Sequence, residues 1–374
     1  MPQSVALAAG LMVLCLVAFL ADQLSADPTH EGAWQSQDDF QVPAGLKPLR
    51  IPADNPMSVE KVELGKQLFF DPRLSRDDTV SCATCHDPNK GWSNGEAFAT
   101  GVREQVGGRN SPTIINSAYQ YFHFWDGRAT GLEEQALGPI ENPIEMDLTL
   151  KEAVSKINAI EGYRSQFNAV FGSEATSDTL AKAIAAFERT ILSGDAPYDR
   201  FTAGDKSALS EAAQRGHEIF FNRARCSSCH VPPNFSDLGF HNIGIGIDAE
   251  KLDIGRQEHS KLLGDRGSFK TPTLREIQRT APYMHDGSLA TLADVVDFYV
   301  KGGNPNPQLD EEVFPLSLTD KEKADLVTFL EEAFASPNYP HVDPPVLPDW
   351  PSDSDGQSDG RNGEVMNTIR VEQR

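Results

Sequence analysis

An all-α fold of two helical units in tandem is the architecture the sequence predicts, and three observations carry that prediction. The pattern Cys-x-x-Cys-His occurs twice, as CATCH at 82–86 and CSSCH at 226–230, and takes four of the five cysteines. Each copy follows a similar run, LGKQLFF before the first and RGHEIFF before the second, so a weak internal repeat underlies the chain. Runs with helical spacing of apolar residues are separated by stretches rich in Gly, Asn, Ser and Asp, which read as long loops.

Taken in order, the chain opens on VALAAGLMVLCLVAFLA, an apolar run with no charged side chain before Asp22. It has the character of a secretory core, so residues 1–25 are expected to be a signal peptide or, if retained, a membrane anchor. Residues 26–45 follow as a polar leader arm. The first unit, 46–200, becomes organised at VELGKQLFFDPRLS, where Leu64, Leu68 and Phe69 share a helical face and Pro72 stops the run. The stretch from Ser81 to Asn116 looks like loops wrapped around a body larger than side chains. Helices return in LTLKEAVSKINAI, YRSQFNAVFG and SDTLAKAIAAFERTILS, the last with a cap at Ser177 or Asp178. ILSGDAPYDRFTAGDKSALS reads as a connection, which puts the boundary near 200 and the second unit at 201–335. Helices of that unit are EAAQRGHEIFF, LATLADVVDFYV and TDKEKADLVTFLEEAF, with Thr319 and Glu322 placed as a capping box. From Ser336 the chain is Pro-rich and then runs PSDSDGQSDGRNG, the composition of a disordered tail over 336–374.

A chain of 374 residues with 39% hydrophobic and 24% charged positions can bury one large or two medium cores. Its 33 Lys and Arg against 55 Asp and Glu leave a net charge of -22. That charge excludes nucleic acid as a partner and favours basic protein surfaces, with encounter rates that respond to salt.

The two Cys-x-x-Cys-His motifs carry the chemistry. Thiols spaced this way reach both vinyl groups of one haem, and the adjacent imidazole can bind its iron. Cys82, Cys85 and His86 would hold one haem; Cys226, Cys229 and His230 would hold the other. A redox dithiol leaves the histidine in both copies unexplained, and a zinc module does not place its halves so far apart in sequence. A helix followed by this motif opens a class I cytochrome c unit, so the expected fold is two such units in tandem with long haem-wrapping loops.

Further segments give a more specific resemblance. GRNSPTIINSAYQYFHFWDGRATGLEEQALGPIENPIEM at 108–146, FHNIG at 240–244 and FKTPTLREIQRTAPYMHDG at 269–287 resemble the bacterial dihaem cytochrome c peroxidase and MauG family. The resemblance covers roughly residues 60–332. It implies that the first haem meets peroxide while the second transfers electrons. Gln135 and Glu145 match the polar pair over the first haem, where a carboxyl group can move a proton between the peroxide oxygens. Trp125 matches the tryptophan between the haems. Asn110, with the backbone carbonyls of Thr280 and Pro282, matches a calcium site of hard oxygen ligands.

Two departures refine the resemblance. Many members carry a histidine that blocks the first haem, and here that position falls near Val102, in GVREQVGG, which has no histidine. The matching place for a methionine ligand of the second haem holds Tyr299, as in MauG itself, and a phenolate favours ferric iron. The expected function is therefore reduction of hydrogen peroxide with electrons from a small cytochrome c or cupredoxin. A MauG-like modification of a protein substrate is the second expectation, and a non-catalytic dihaem electron carrier or redox sensor a third. Either reading of residues 1–25 places the bulk of the chain in the periplasm, and the resemblance adds the expectation of a homodimer.

Overall fold

The computed structural model describes residues 33–34, 41–250 and 252–349, so the apolar N-terminal run expected as leader or anchor lies outside the described residues. Eleven α-helices appear among them: α1 Val59–Phe70, α2 Cys82–Cys85, α3 Leu132–Glu141, α4 Leu150–Ala159, α5 Glu161–Phe171, α6 Ser177–Glu188, α7 Pro197–Thr202, α8 Glu211–Glu218, α9 Gln257–Ser260, α10 Leu292–Val300 and α11 Asp320–Ala333. The all-α expectation is corrected by three two-stranded antiparallel ladders. β1 Ala33–Trp34 pairs with β2 Met57–Ser58, β3 Phe122–His123 with β4 Ala129–Thr130, and β5 Phe240–His241 with β6 Phe269–Lys270. Two-residue strands leave no alternating pattern to read. They arise where a loop folds back and its backbone groups need partners.

Helix boundaries follow their capping chemistry. Ser58 starts α1 by accepting from the Lys61 N–H at 3.2 Å, and the helix stops at Asp71, one residue before Pro72. Thr176, rather than Ser177 or Asp178, caps α6, and Thr319 with Glu322 forms the expected capping box on α11. α3 falls within the segment 108–146 and α7 within the stretch expected as a connection. Pro139 sits inside α3 and Pro197 opens α7, so proline disguised the first helix and announced the second.

Two hydrophobic clusters form, one around Phe69, Trp92 and Phe187, the other around Phe220, Phe235, Phe329 and Phe334. The repeat seen in sequence has a packing cause. Gly65 of α1 lies against α6, where an added Cβ would overlap the Ala183 carbonyl; Gly216 of α8 lies against α11, where it would overlap the Asp325 carbonyl. Four residues beyond each glycine comes a buried phenylalanine. Phe69 stands 5.9 Å from Trp92 and 5.2 Å from Phe187, and Phe220 stands 5.3 Å from Phe329, ring centre to ring centre. Burying each such ring contributes about 2–3 kcal/mol.

After these shared helices the copies diverge. α8 continues into a π-helical turn, Ile219–Arg223, and reaches Cys226 almost at once. α1 instead leads into a turn fixed by Asp71, whose carboxylate is gripped by Arg73 and by the Tyr163 hydroxyl at 2.6 Å. A different correction concerns the tail. Residues 336–349, expected to be disordered, run back across the first cluster, and 350–374 lie outside the described residues. Ser336 bonds Glu276 and Gly194, Pro340 accepts from the Trp92 indole at 2.9 Å, and the Tyr339 ring and Val342 pack on the cluster. The prolines that suggested disorder suit an extended strap that uses side-chain partners instead of a ladder.

Candidate haem and peroxide site

Cys85, His86, Trp125, Gln135 and Glu145 line one cavity of about 680 Å³. Cys82 packs at the edge of the first cluster, on α2, and both thiols are free of disulfide bonds. The Nδ1 of His86 lies 3.2 Å from the Trp92 carbonyl, and Trp92 is held by the Phe69 cluster and the strap. With Nδ1 engaged, Nε2 is the atom left to bind a metal, and burial keeps the ring neutral by lowering its pKa to about 4. These residues fit a covalent haem.

On the opposing elements, α3 carries Gln135 and the turn after it carries Glu145. The Glu145 carboxylate accepts from Asn142 Nδ2 at 2.7 Å through Oε1. Burial raises its pKa above the ordinary carboxylate value, against the opposing pull of Arg128 and the Asn142 bond. Val102 is fully buried, and its N–H is bonded to the Glu145 carbonyl at 2.8 Å. From residues 100–108 only Gly101, Gly107 and Gly108 line the cavity. A side chain at Gly101 would strike the Ile144 and Glu145 backbone, so this segment is pressed flat beneath the carboxylate.

A second cavity, about 220 Å³, is lined by Cys226, Cys229, His230, Met284, His285 and Tyr299. His230 repeats the arrangement of His86: its Nδ1 lies 2.9 Å from the Phe235 carbonyl, and Phe235 is fully buried in the second cluster. α10, capped by Thr291, faces that cluster with Leu292 and Val296 and brings Tyr299 to the cavity. Burial, followed by the neighbouring Cys229 and Cys226, raises the Tyr299 pKa. A phenolate there needs a cation beside it, which ferric iron would supply. Tyr299 shares this cavity with the motif residues Cys226, Cys229 and His230.

Trp125 and Asn110 line both cavities. The indole N–H donates to the Asn110 carbonyl at 2.9 Å, and the ring meets His285 edge-on at 6.4 Å. Asn110 is further tied by its backbone N–H to the His285 carbonyl at 2.7 Å and by Nδ2 to the Glu96 carbonyl. Thr280 and Pro282 line the second cavity beside it.

Several groups at the site escaped the sequence reading. Arg109 bonds Asp126 at 2.5 Å and Asp253 at 2.6 Å, which ties the first cavity to a loop far along the chain. Arg128 is different, because its place in WDGR marks it as a structural partner for Asp126 or a haem propionate; it closes on Asp126 at 3.0 Å and lies over the Phe124 ring at 3.5 Å. His123, Glu188 and Lys270 also line the first cavity. Only the WDGR context of Asp126 signalled any of these, because the other contacts join residues that share no local pattern.

Comparison with known proteins agrees with this geometry. Residues 59–207 match the di-haem cytochrome c peroxidase family. The methylamine utilization protein MauG of Methylorubrum extorquens is 40% identical over 331 residues, covering 87% of this chain and 94% of that one. The cytochrome c551 peroxidase of Nitrosomonas europaea is 38% identical over 260 residues, covering 68% of this chain and 78% of that one. Among solved structures, a MauG-like protein associated with microbial copper homeostasis has a TM-score of 0.73 at 34% identity, covering 82% of this chain and 96% of that chain. With two covalent haem motifs opening onto two cavities that share a tryptophan, the chain belongs to the bacterial di-haem cytochrome c peroxidase and MauG family.

Proposed function

We propose that this protein is a periplasmic peroxidase in which the first motif carries the haem that meets hydrogen peroxide and the second carries the haem that receives electrons. The observation that supports this most is the convergence of Glu145 and Gln135 with His86 on one cavity whose wall, at Trp125, also belongs to the other. A haem held by Cys82, Cys85 and His86 would supply the redox-active iron for this chemistry. Glu145 moves a proton from one peroxide oxygen to the other, so that the outer oxygen leaves as water. Gln135 orients the peroxide as an uncharged donor, and Asn142 holds the carboxylate in place through Oε1. Trp125 provides the path between the two redox centres. Two electrons and two protons then complete reduction to two waters, with a small cytochrome c or cupredoxin as donor.

Finer features belong to the same reading. Residues 46–200 and 201–335 are two cytochrome c-like units. Tyr299 would ligate the iron of the second haem, and Asn110 with the Thr280 and Pro282 carbonyls would hold a calcium ion through hard oxygen donors. The leader directs export or, if retained, anchors the protein at a membrane; no described helix is long and apolar enough to cross one. Two chains form a homodimer.

Tyr299 favours a second reading, a MauG-like oxidation of residues in a protein substrate, in which that substrate is the electron source. Steady-state peroxide turnover with a reduced small cytochrome, beside mass analysis of candidate periplasmic proteins incubated with peroxide, tests both. Turnover of the cytochrome supports the peroxidase. A peroxide-dependent mass change in another protein, without cytochrome turnover, transfers the assignment to the second reading, and neither result removes both.

A further inference from the structure

The wall between the two cavities carries a charge with no counter-ion. Lys270, at the end of β6, lines both cavities and is only 8% exposed. Its backbone N–H is bonded to the Trp125 carbonyl at 2.8 Å, which holds the residue against the tryptophan. Among the described residues its ammonium meets no carboxylate, and burial alone lowers its pKa to about 8. His123 lies close enough for Lys270 to depress its protonation, lines the first cavity, and has a buried Nε2 with no hydrogen-bond partner. Glu188, on the same cavity, does not supply the missing anion, because burial holds its carboxyl protonated with a pKa of about 8.

An ammonium without a counter-ion and an orphaned imidazole nitrogen on the walls of one cavity are costly in a finished interior, so something that enters the cavity must satisfy them. A haem brings two propionate carboxylates, and its covalent bonds at Cys82 and Cys85 would confine them to this cavity. We propose that Lys270 and His123 form the seat for a propionate of the first haem. This rests on the two-haem reading above. The grip crosses the molecule, because β6 follows the second haem motif yet holds the cofactor of the first. His123 lines the first cavity and not the second, which selects between the two haems. By placing a positive charge beside the propionate, Lys270 would favour the ferrous state and raise the reduction potential of that haem, while neutral His123 donates a hydrogen bond.

The experiment uses the holoprotein with both haems counted by mass. Wild-type chains carrying fewer than two haems would remove the underlying reading without bearing on Lys270 itself. In the two-haem protein, spectroelectrochemical titration of Lys270→Met should show the first haem harder to reduce, with its reduction equilibrium constant lowered at least tenfold. Lys270→Arg should return most of the change, and the second haem should move less. Potentials unchanged in two-haem Lys270→Met would overturn the proposal. If that variant fails to mature, Lys270→Arg decides through redox-difference infrared spectra of haem labelled with ¹³C at the propionate carboxylates. A shifted carboxylate band relative to wild type supports the seat, and identical bands refute it.

Discussion

At the scale of single residues, the site separates groups whose identity matters from groups whose environment matters. Glu145 is defined by its surroundings: burial favours its protonated form, while Arg128 and Asn142 recover part of the carboxylate. Replacing it by Gln keeps the shape and removes the transferable proton, so peroxide consumption should slow by about 10²-fold or more. Because its pKa is raised, the carboxylate is lost as pH falls through a value above the ordinary carboxylate range. Peroxide consumption should therefore drop on that acid limb, and the limb should vanish in Glu145→Gln; a pH–rate profile with the same limb in both proteins would contradict the assignment. Tyr299→Phe should alter the optical and EPR signature of the second haem and leave the first unchanged. The motif cysteines and histidines were legible from sequence because their spacing is the chemistry itself. Lys270 and His123 were not, since each is unremarkable until burial strips it of water and partners.

At the scale of elements, the repeated LGKQLFF and RGHEIFF runs are helices whose glycines permit a close crossing and whose phenylalanines anchor the haem-bearing loop. Phe69 packs on Trp92, whose carbonyl faces His86; Phe220 packs in the cluster that contains Phe235, whose carbonyl faces His230. Gly216→Ala would push α8 away from α11 and should cost about 1–3 kcal/mol in denaturant unfolding. Gly172→Ala, where no atom stands within 4 Å of the added Cβ, should suffer only from its positive φ of 71° and cost less. The helix start at Thr319 followed from its capping box, whereas α3 was hidden by its internal proline and the short strands by their length.

At the scale of the whole molecule, stability depends on contacts that join distant segments. Arg275 is fully buried and forks onto Asp199 at 2.6 and 2.9 Å, while also donating to the Pro233 carbonyl. Removing only one partner, as in Asp199→Asn, leaves an unbalanced guanidinium and should destabilise the protein by ~3–5 kcal/mol, measurable as a lower unfolding midpoint. The strap over 336–348 joins the same category. Truncation after Ala335 would leave the Trp92 indole without its partner and take the Ser336 N–H from Glu276, and should lower the thermal midpoint, together with a changed spectrum of the haem bound through His86. An unchanged midpoint and spectrum would show the strap to be dispensable.

The sequence by itself determined the covalent chemistry: two thiol pairs with adjacent imidazoles, the helix that precedes each, and the family segments that carry Gln135, Glu145 and Trp125. Local spacing suffices for these because neighbours along the chain must reach the same cofactor. Tertiary structure alone decided which residues share a cavity, that Trp125 and Lys270 form a common wall, and that a proline-rich tail folds back as a strap. Those outcomes depend on which buried groups find a partner across the fold, and the chain does not write that pairing in any single stretch.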